Sequence, residues 1–306
     1  MSARRRKNIR NISIGGRKKK IFMYLSFSLF LLLFFLYFKN STKYWNGEEK
    51  VSVVINADSE INVVTFDPRT KEIINIIIPG DTQVDVAESK GIYNLKNVWE
   101  LGKQQGSGGN LVARTVTKNF KFPVYIWAGR YAKGFISGEL FSALKVLFLP
   151  YETNLTFGDK LGLTIFSMKV KNPKRVDILL SDTNLLEKAT LEDGSEGYII
   201  KGNTSQKIMS VFTNLAMSEN IYRIMITDRT GDVGFSESVS EILNVLGGKV
   251  VAINKEVRHA GVCEIKGKDE NILELITKLL PCTISKEGKS NFDLEVVLNE
   301  DFEKRF

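Results

Sequence analysis

The chain has 306 residues and a formal net charge of +8, from 43 Lys and Arg against 35 Asp and Glu. Nine of these cations lie in residues 1–20, which contain no acid, so the rest of the chain has 34 basic and 35 acidic residues. The excess charge belongs to the tail and gives no reason to expect nucleic-acid binding by the folded part. A hydrophobic fraction of 43% and only six prolines exclude a disordered or collagen-like chain.

The basic tail, residues 1–20, precedes an apolar segment that predicts a transmembrane helix. Ile21–Phe38 contains no charged residue, and at ~1.5 Å per residue it approaches the ~30 Å core of a bilayer. Residues 39–45 form a poor cleavage sequence, so an uncleaved signal anchor is favoured over a signal peptide or a buried core helix. The positive-inside rule then places the N-terminus in the cytoplasm and residues 39–306 outside a single-pass cell-membrane protein.

A polar linker, residues 39–50, leads to a predicted α/β domain over residues 51–218. The apolar run Ile73–Ile78 is typical of a central strand covered on both faces. The pattern within residues 135–205 favours no particular strand arrangement. The predicted strands are Val51–Ile55, Ile61–Phe66, Glu72–Ile78, Gln83–Val86, Val124–Ala128 and Val176–Leu180. The predicted helices are Ile92–Leu101, Leu111–Phe120, Phe135–Leu147 and Ile208–Met217.

Residues 219–306 predict a second, smaller domain in which strands and helices alternate. Their β-α-β-β-α-β order allows a split ferredoxin-like sheet, and Asp269 suits the N-cap of the second helix. The predicted strands are Tyr222–Thr227, Lys249–Ile253, Val262–Lys266 and Leu294–Leu298, and the helices are Phe235–Leu246 and Asn271–Leu280.

The two cysteines of the sequence are Cys263 and Cys282, both in this second domain. Outside the membrane a disulfide between them is permitted, and two buried reduced thiols are the alternative. His259 is the only histidine, and one imidazole with two thiols makes no zinc spacing, so we expect no metal site.

Three segments carry a resemblance to a known family. Ile76–Val86 contains Pro79-Gly80-Asp81-Thr82, Arg114-Thr115-Val116 is followed by Phe122–Ile126, and Tyr222–Gly234 opens the second domain. They resemble, in turn, the S-I-P-R-D-T-x-V-x-I segment, the T-V-E … G-I-P-I-D-Y-Y-V segment and the C-terminal LytR domain of the LytR-CpsA-Psr (LCP) family of bacterial cell-envelope proteins. The motifs are loose and together span most of residues 51–302.

The resemblance implies a role in cell-wall biogenesis, with transfer of a glycan from a polyprenyl-diphosphate carrier to a surface acceptor and a divalent metal on the diphosphate. Arginines, a metal and carboxylates are needed to hold such a leaving group. Here Ala57 and Gly80 stand at two arginine positions of the family, Ser59 replaces an aspartate, and the family's arginine-rich helix has no counterpart. Asp81 and Thr82 are retained, with Asp58 displaced by one position.

Three interpretations remain. The first is a catalytically degenerate LCP relative, without enzymatic activity or cofactor, that binds wall glycan, a polyprenyl-phosphate lipid or a protein partner. The second is an active phosphotransferase that uses Mg²⁺ and takes its cations from Arg69, Arg114, Arg130 or Arg175; Arg114 and Arg130 are the candidate anion contacts. The third is a tether whose basic tail meets anionic lipid. Gly80-Asp81-Thr82 is also ordinary turn composition.

Overall fold

The structure is a computed structural model and describes residues 20–29, 41–191, 194–232, 234–285 and 291–306. Residues 20–29 are helical. Within the described ranges, no helix combines the length and apolar character needed to cross a membrane. The predicted tail lies almost entirely outside these ranges, as do residues 30–38 of the predicted span.

The first sheet has five strands in the order β6-β1-β2-β3-β7. β1, β2 and β3 form an antiparallel meander, and β6 and β7 pair in parallel with its two edges. The predicted central strand Ile73–Ile78 lies within β3, inside the sheet between β2 and β7 and covered on both faces. The strands are β1 (Val51–Asn56), β2 (Glu60–Asp67), β3 (Glu72–Pro79), β6 (Ile126–Ala128) and β7 (Arg175–Leu179).

Helices cover both faces of this sheet, which explains why β1 and β2 are buried almost throughout. One face packs under α1 and α2, and the opposite face packs under α3, α4 and α5. The helices are α1 (Leu95–Gln104), α2 (Asn110–Phe120), α3 (Gly134–Ser137), α4 (Leu140–Phe148) and α5 (Phe157–Lys169).

Two hairpins and two broken helices differ from the predictions. The helix predicted over Phe135–Leu147 is divided into α3 and α4 at Gly138 and Glu139. Gly91–Asn94 (β5) pairs with Gln83–Val86 (β4), so the helix predicted from Ile92 begins only at Leu95. A second hairpin joins Leu186–Thr190 (β8) to Glu196–Ile200 (β9). The helix predicted over residues 208–217 is interrupted because Asn214 caps a new helix through its side chain. The two pieces are α6 (Gln206–Met209) and α7 (Leu215–Glu219).

The C-terminal sheet has the order β11-β10-β14-β12-β13 and is not ferredoxin-like. Two parallel pairs, β10 with β11 and β12 with β13, flank β14, which lies antiparallel to β12. The prediction missed the short strand β13, and parallel pairing after each helix then places β14 between the two units. The elements are β10 (Arg223–Arg229), α8 (Phe235–Val245), β11 (Lys249–Lys255), β12 (Cys263–Gly267), α9 (Glu270–Leu279), β13 (Cys282–Ile284), β14 (Leu294–Asn299) and α10 (Glu300–Arg305).

The segment predicted as a linker is folded onto the first domain from Ser41 onwards. Asp159 is fully buried, and its Oδ1 accepts hydrogen bonds from the main-chain amides of Lys43, Tyr44 and Trp45 at 2.9–3.0 Å. The Trp45 ring packs against Phe66 and Phe166. Residues 41–45 are therefore fixed to the domain by hydrogen bonds, and Trp45 joins its core.

Candidate functional site

The turn that contains Asp58 and Ser59 adjoins the Pro79-Gly80-Asp81-Thr82 motif in the structure. β2 and β3 pair so that Glu60 faces Pro79, and the Gly80 amide donates to the Ser59 carbonyl at 3.1 Å. A Cβ at position 80 would stand 2.8 Å from Lys96 Cβ and 2.9 Å from the Ser59 carbonyl carbon, and closer still to the carbonyl oxygen. The position that holds an arginine in the family therefore has no space for any side chain.

Asp81 and Thr82 serve the turn rather than a ligand cleft. The buried Thr82 hydroxyl donates to the Pro79 carbonyl at 2.7 Å. The Asp81 carbonyl accepts from the Tyr198 amide at 3.2 Å, which ties the turn to β9. The half-buried Asp81 carboxylate makes no hydrogen bond or ion pair within the described part of the chain.

Asp58 and Arg130 come together at the mouth of a cleft of about 600 Å³. Asp58 lies in the turn after β1, and Arg130 follows β6 on the adjacent strand, with 3.6 Å between Arg130 Nη1 and Asp58 Oδ2. The cleft is lined by side chains from β1, α1 and the two loops after β6 and α4. Those used below are Asn56, Asp58, Trp99, Glu100, Lys103, Arg130, Tyr131, Tyr151 and Glu152.

The charges of this cleft do not suit a diphosphate. Lys103 Nζ lies 3.1 Å from Glu100 Oε1 and 3.6 Å from Glu152 Oε1, and its hydrogen bond to Glu100 raises the Lys103 pKa. Arg130 faces Asp58, so both cations of the lining are already paired and a third carboxylate remains. A diphosphate would have to displace these partners and leave carboxylates beside its own charge.

Two buried polar atoms of the lining lack a partner. Asn56 Oδ1 and the Tyr151 hydroxyl oxygen are both inaccessible to solvent and make no hydrogen bond. The whole Asn56 residue is 9% exposed. Burial raises the pKa of the Tyr151 hydroxyl, which therefore stays protonated at neutral pH. An unpartnered buried acceptor and hydroxyl cost about 1–3 kcal/mol each. Both atoms are closed to solvent in this structure, so a ligand rich in hydroxyl and amide groups would pair with them only after the lining opens.

Aromatic rings complete the cleft. Tyr131 and Tyr151 pack edge to face with centroids 6.4 Å apart, and the Arg130 guanidinium lies 5.3 Å from the Tyr131 ring centroid. Trp99 packs edge to face on Trp127 at 5.7 Å. Aromatic walls with a few placed polar groups are typical of sites for small organic ligands.

The other candidate arginines are distributed over the molecule. Arg114 pairs with Glu88 at 2.7 Å and donates to the Arg305 carbonyl at 3.4 Å. Arg69 pairs with Glu219 at 3.1 Å. Arg175 donates to the carbonyls of α3 and α5 residues, among them Ile136. The structure thus does not gather the replacement cations that the phosphotransferase interpretation requires.

The described residues contain no cluster of three acidic, histidine or cysteine side chains able to hold a metal ion. Asp58 lines the cleft, and Asp81 is not part of its lining. Cys263 and Cys282 are bonded as a disulfide between the paired strands β12 and β13, far from this chemistry in the chain.

The sequence matches no protein-family model and no curated protein. Comparison with solved structures does find matches. Its structural neighbours include LytR-CPS2A-Psr proteins. One is TagT with bound octaprenyl pyrophosphate lipid, at 16% identity and a TM-score of 0.39, covering 67% of this chain and 93% of that one. Another is Bacillus subtilis TagV, at 11% identity and a TM-score of 0.38, covering 67% of this chain and 100% of that one.

A third neighbour is Lin1025 from Listeria innocua, at 15% identity and a TM-score of 0.36, covering 50% of this chain and 92% of that one. At these values the likeness assigns no role to any individual residue of this chain. Asn56, Tyr131, Tyr151 and Glu152 were not anticipated from the sequence. Tyr151 and Glu152 lie in the stretch without a clear pattern, residues 135–205, and no spacing links any of the four to Asp58.

Proposed function

We propose that the chain is a membrane-anchored protein of the bacterial cell envelope that binds a saccharide in the cleft between Asp58 and Tyr151 and has no phosphotransferase activity. The cleft composition is the observation that carries the proposal. Three carboxylates against two paired cations disfavour a diphosphate, whereas the unpartnered Asn56 Oδ1 and Tyr151 hydroxyl favour the hydroxyl and amide groups of a sugar.

The membrane anchor in this proposal is the predicted span Ile21–Phe38, with the N-terminus in the cytoplasm and both folded units outside. The resemblance to LCP motifs supports an envelope role. TagT has been solved with bound octaprenyl pyrophosphate lipid and bound to LIIa-WTA. Lipid-linked and glycan ligands are therefore both reasonable probes. Of these, the closed space at Gly80 leaves the glycan as the better fit to this chain.

The binding half of the proposal is tested with the full chain and tetra-N-acetylchitotetraose, an uncharged oligomer of N-acetylglucosamine, by calorimetry. Tyr151→Phe and Asn56→Leu each remove one acceptor or donor, and about tenfold weaker binding is expected for each. The matched control is Tyr93→Phe, at an exposed ring on β5. Inorganic pyrophosphate is the anionic comparator and should not bind. Equal affinity of all variants, or tighter binding of pyrophosphate, would overturn this half.

The catalytic half is tested by incubating the full chain with a polyprenyl-diphosphate-linked glycan and Mg²⁺ or Mn²⁺. No transfer product is expected. Metal-dependent product that disappears in Asp81→Ala would establish the phosphotransferase interpretation instead, and would require Asp81 to gain cationic partners that the structure does not give it.

A further inference from the structure

The pair of helices α4 and α5 carries an apolar surface that no other part of the described structure covers. The large side chains at its most exposed positions include Phe141 at 79% and Phe148 at 72%. The exposed apolar residues of α4 are Leu140, Phe141, Leu144 and Phe148, and those of α5 are Phe157, Ile165 and Met168. The spacings of three, four and eight residues place each set along one side of its helix. We call these seven side chains the apolar face.

An apolar surface of this extent on a soluble domain marks a contact with a membrane or another protein. The inner sides of the same helices are already used, because Val146 and Leu163 are fully buried against the sheet. The apolar face is therefore additional to what the fold requires.

The start of the folded chain identifies the occupant. Asp159, in the first turn of α5, fixes the amides of Lys43, Tyr44 and Trp45, and a Cβ on Gly158 would stand 2.7 Å from Ser41 Oγ. Ser41 therefore lies against the N-terminal end of α5, beside Phe157. Two residues, Lys39 and Asn40, lie between Ser41 and Phe38, where the predicted span ends, and the three chain steps from Phe38 to Ser41 extend at most ~10 Å.

We call the hydrogen bonds that Asp159 accepts from residues 43–45 and from Thr156 the clamp. The clamp also restricts how the domain can be oriented relative to the chain that precedes Ser41. Both oxygens of Asp159 are used, since Oδ2 accepts from the Thr156 amide at 3.0 Å and its hydroxyl at 2.8 Å. A chain anchored through residues 21–38 would thus hold the N-terminal end of α5 close to the bilayer surface without a flexible spacer. The apolar face begins at that point.

The charges of the two helices match an anionic lipid surface. Lys145, Lys160 and Lys169 all reach solvent, whereas Asp159, the single acid within α4 and α5, is buried in the clamp. Apolar side chains flanked by lysines are the composition of helices that lie in the interface of anionic bilayers.

We infer that the apolar face of α4 and α5 docks into the outer surface of the same membrane in which the chain is anchored, so that the domain lies on the bilayer rather than projecting from it. The inference rests on the membrane anchor of the proposed function. It fixes which side of the molecule faces the lipid and leaves the saccharide cleft to be reached from the side or from above.

The test uses the full chain in nanodiscs that contain phosphatidylethanolamine and phosphatidylglycerol. Leu144→Cys on α4 is labelled with the environment-sensitive dye NBD, and the matched control is Val257→Cys, at an 87% exposed position in the C-terminal domain. The two natural cysteines are joined in the disulfide and do not compete for the label. Doxyl lipids quench dyes in the bilayer, and iodide quenches dyes in water.

We expect the Leu144 label to be quenched at least threefold more strongly than the Val257 label by doxyl lipid, and the reverse with iodide. Phe141→Ser combined with Phe148→Ser should reduce quenching at Leu144 to the Val257 level, because removal of the apolar side chains leaves only proximity to the anchor. In the chain with the intact apolar face, replacing phosphatidylglycerol by phosphatidylcholine should also weaken the doxyl quenching of the Leu144 label.

Equal quenching at the two positions would overturn the docking, provided that alkaline carbonate does not extract the chain. Extraction by carbonate would instead overturn the anchor itself, and with it this inference. A blue shift of the Leu144 label that grows with protein concentration in lipid-free detergent would assign the face to a second copy of the chain and would also overturn the inference.

Discussion

The main-chain amide of Gly80 donates a hydrogen bond to the Ser59 carbonyl at 3.1 Å, so the turn after β1 packs directly on the end of β3. The Gly80 carbonyl in turn accepts from the Lys96 amide at 2.8 Å at the start of α1. Three elements thus meet at one glycine, and the family's arginine is excluded by main-chain packing rather than by a simple surface substitution.

Restoring a side chain at position 80 should destabilise the fold without adding activity. Gly80→Ala is expected to lower the free energy of unfolding by about 1–3 kcal/mol, and Gly80→Arg by at least as much, because main-chain atoms cannot move aside cheaply. The control is Gly129→Ala, whose Cβ would find its nearest neighbour at 3.5 Å. Urea unfolding followed by tryptophan fluorescence measures both. Wild-type stability in Gly80→Arg would show that the turn opens and that an arginine can be accommodated.

Asp159→Asn should loosen the start of the domain. An asparagine cannot accept at both ends of its side chain, so its amino group must face either the Lys43–Trp45 amides or Thr156. We expect a loss of about 2–4 kcal/mol and faster hydrogen exchange at residues 43–45. Asp182→Asn, at an exposed carboxylate, is the control. Unchanged exchange at residues 43–45 would contradict the clamp.

The pair Tyr222 and Asp269 should give the C-terminal domain a defined pH dependence. The Tyr222 hydroxyl donates to Asp269 Oδ2 at 2.9 Å. This hydrogen bond lowers the Asp269 pKa, while burial, followed by the bond to Asp269, raises the pKa of Tyr222 to about 12. The Asp269 contribution to stability is present above its unfolded pKa of about 4 and is lost as pH falls through the lower folded value.

For Tyr222 the contribution to stability changes with pH in the opposite direction. Its contribution is complete below the unfolded pKa of about 10 and is lost as pH rises through the folded value. We therefore expect Tyr222→Phe to cost about 0.5–1.5 kcal/mol between pH 5 and 9, with the difference from wild type shrinking on either side. Chemical denaturation from pH 3 to pH 11 measures it, with Tyr93→Phe as the control. A difference that does not change with pH would contradict the coupling.

The disulfide between Cys263 and Cys282 should stabilise the fold by closing a loop of the chain. Cys263 and Cys282 are separated by 19 positions, and a loop of this length predicts about 3 kcal/mol of stabilisation by restriction of the unfolded chain. The double variant Cys263→Ala with Cys282→Ala should lose this amount, and dithiothreitol should reduce wild-type stability similarly. A wild-type chain that is indifferent to dithiothreitol would contradict the bond.

The strands and helices with a strong pattern were predicted correctly, whereas local competition moved several boundaries. β1 to β4 and α2 lie within one or two residues of their predicted ends, because uninterrupted apolar alternation depends on near neighbours alone. The helix predicted from Ile92 loses its first turn to a strand, since pairing with β4 is a non-local interaction. α5 was not predicted at all, because its buried polar residues Asp159, Thr164 and Ser167 interrupt the apolar pattern.

The candidate site divides in the same way. Asp58 and Arg130 were named from the sequence, but their 3.6 Å approach required β6 to pair in parallel with β1. Asn56, Tyr131 and Tyr151 carry no motif, and only the fold reveals that two of their polar atoms are buried without partners.

The sequence by itself determined the α/β character of the chain and the apolar N-terminal segment, because composition and periodicity act along the chain. The tertiary structure decided the rest. It closed the space at Gly80, fixed residues 41–45 to Asp159, arranged the C-terminal strands around β14 and placed large apolar side chains of α4 and α5 at exposed positions of the described structure. Each of these depends on contacts between residues distant in sequence, whose free energy no local pattern records.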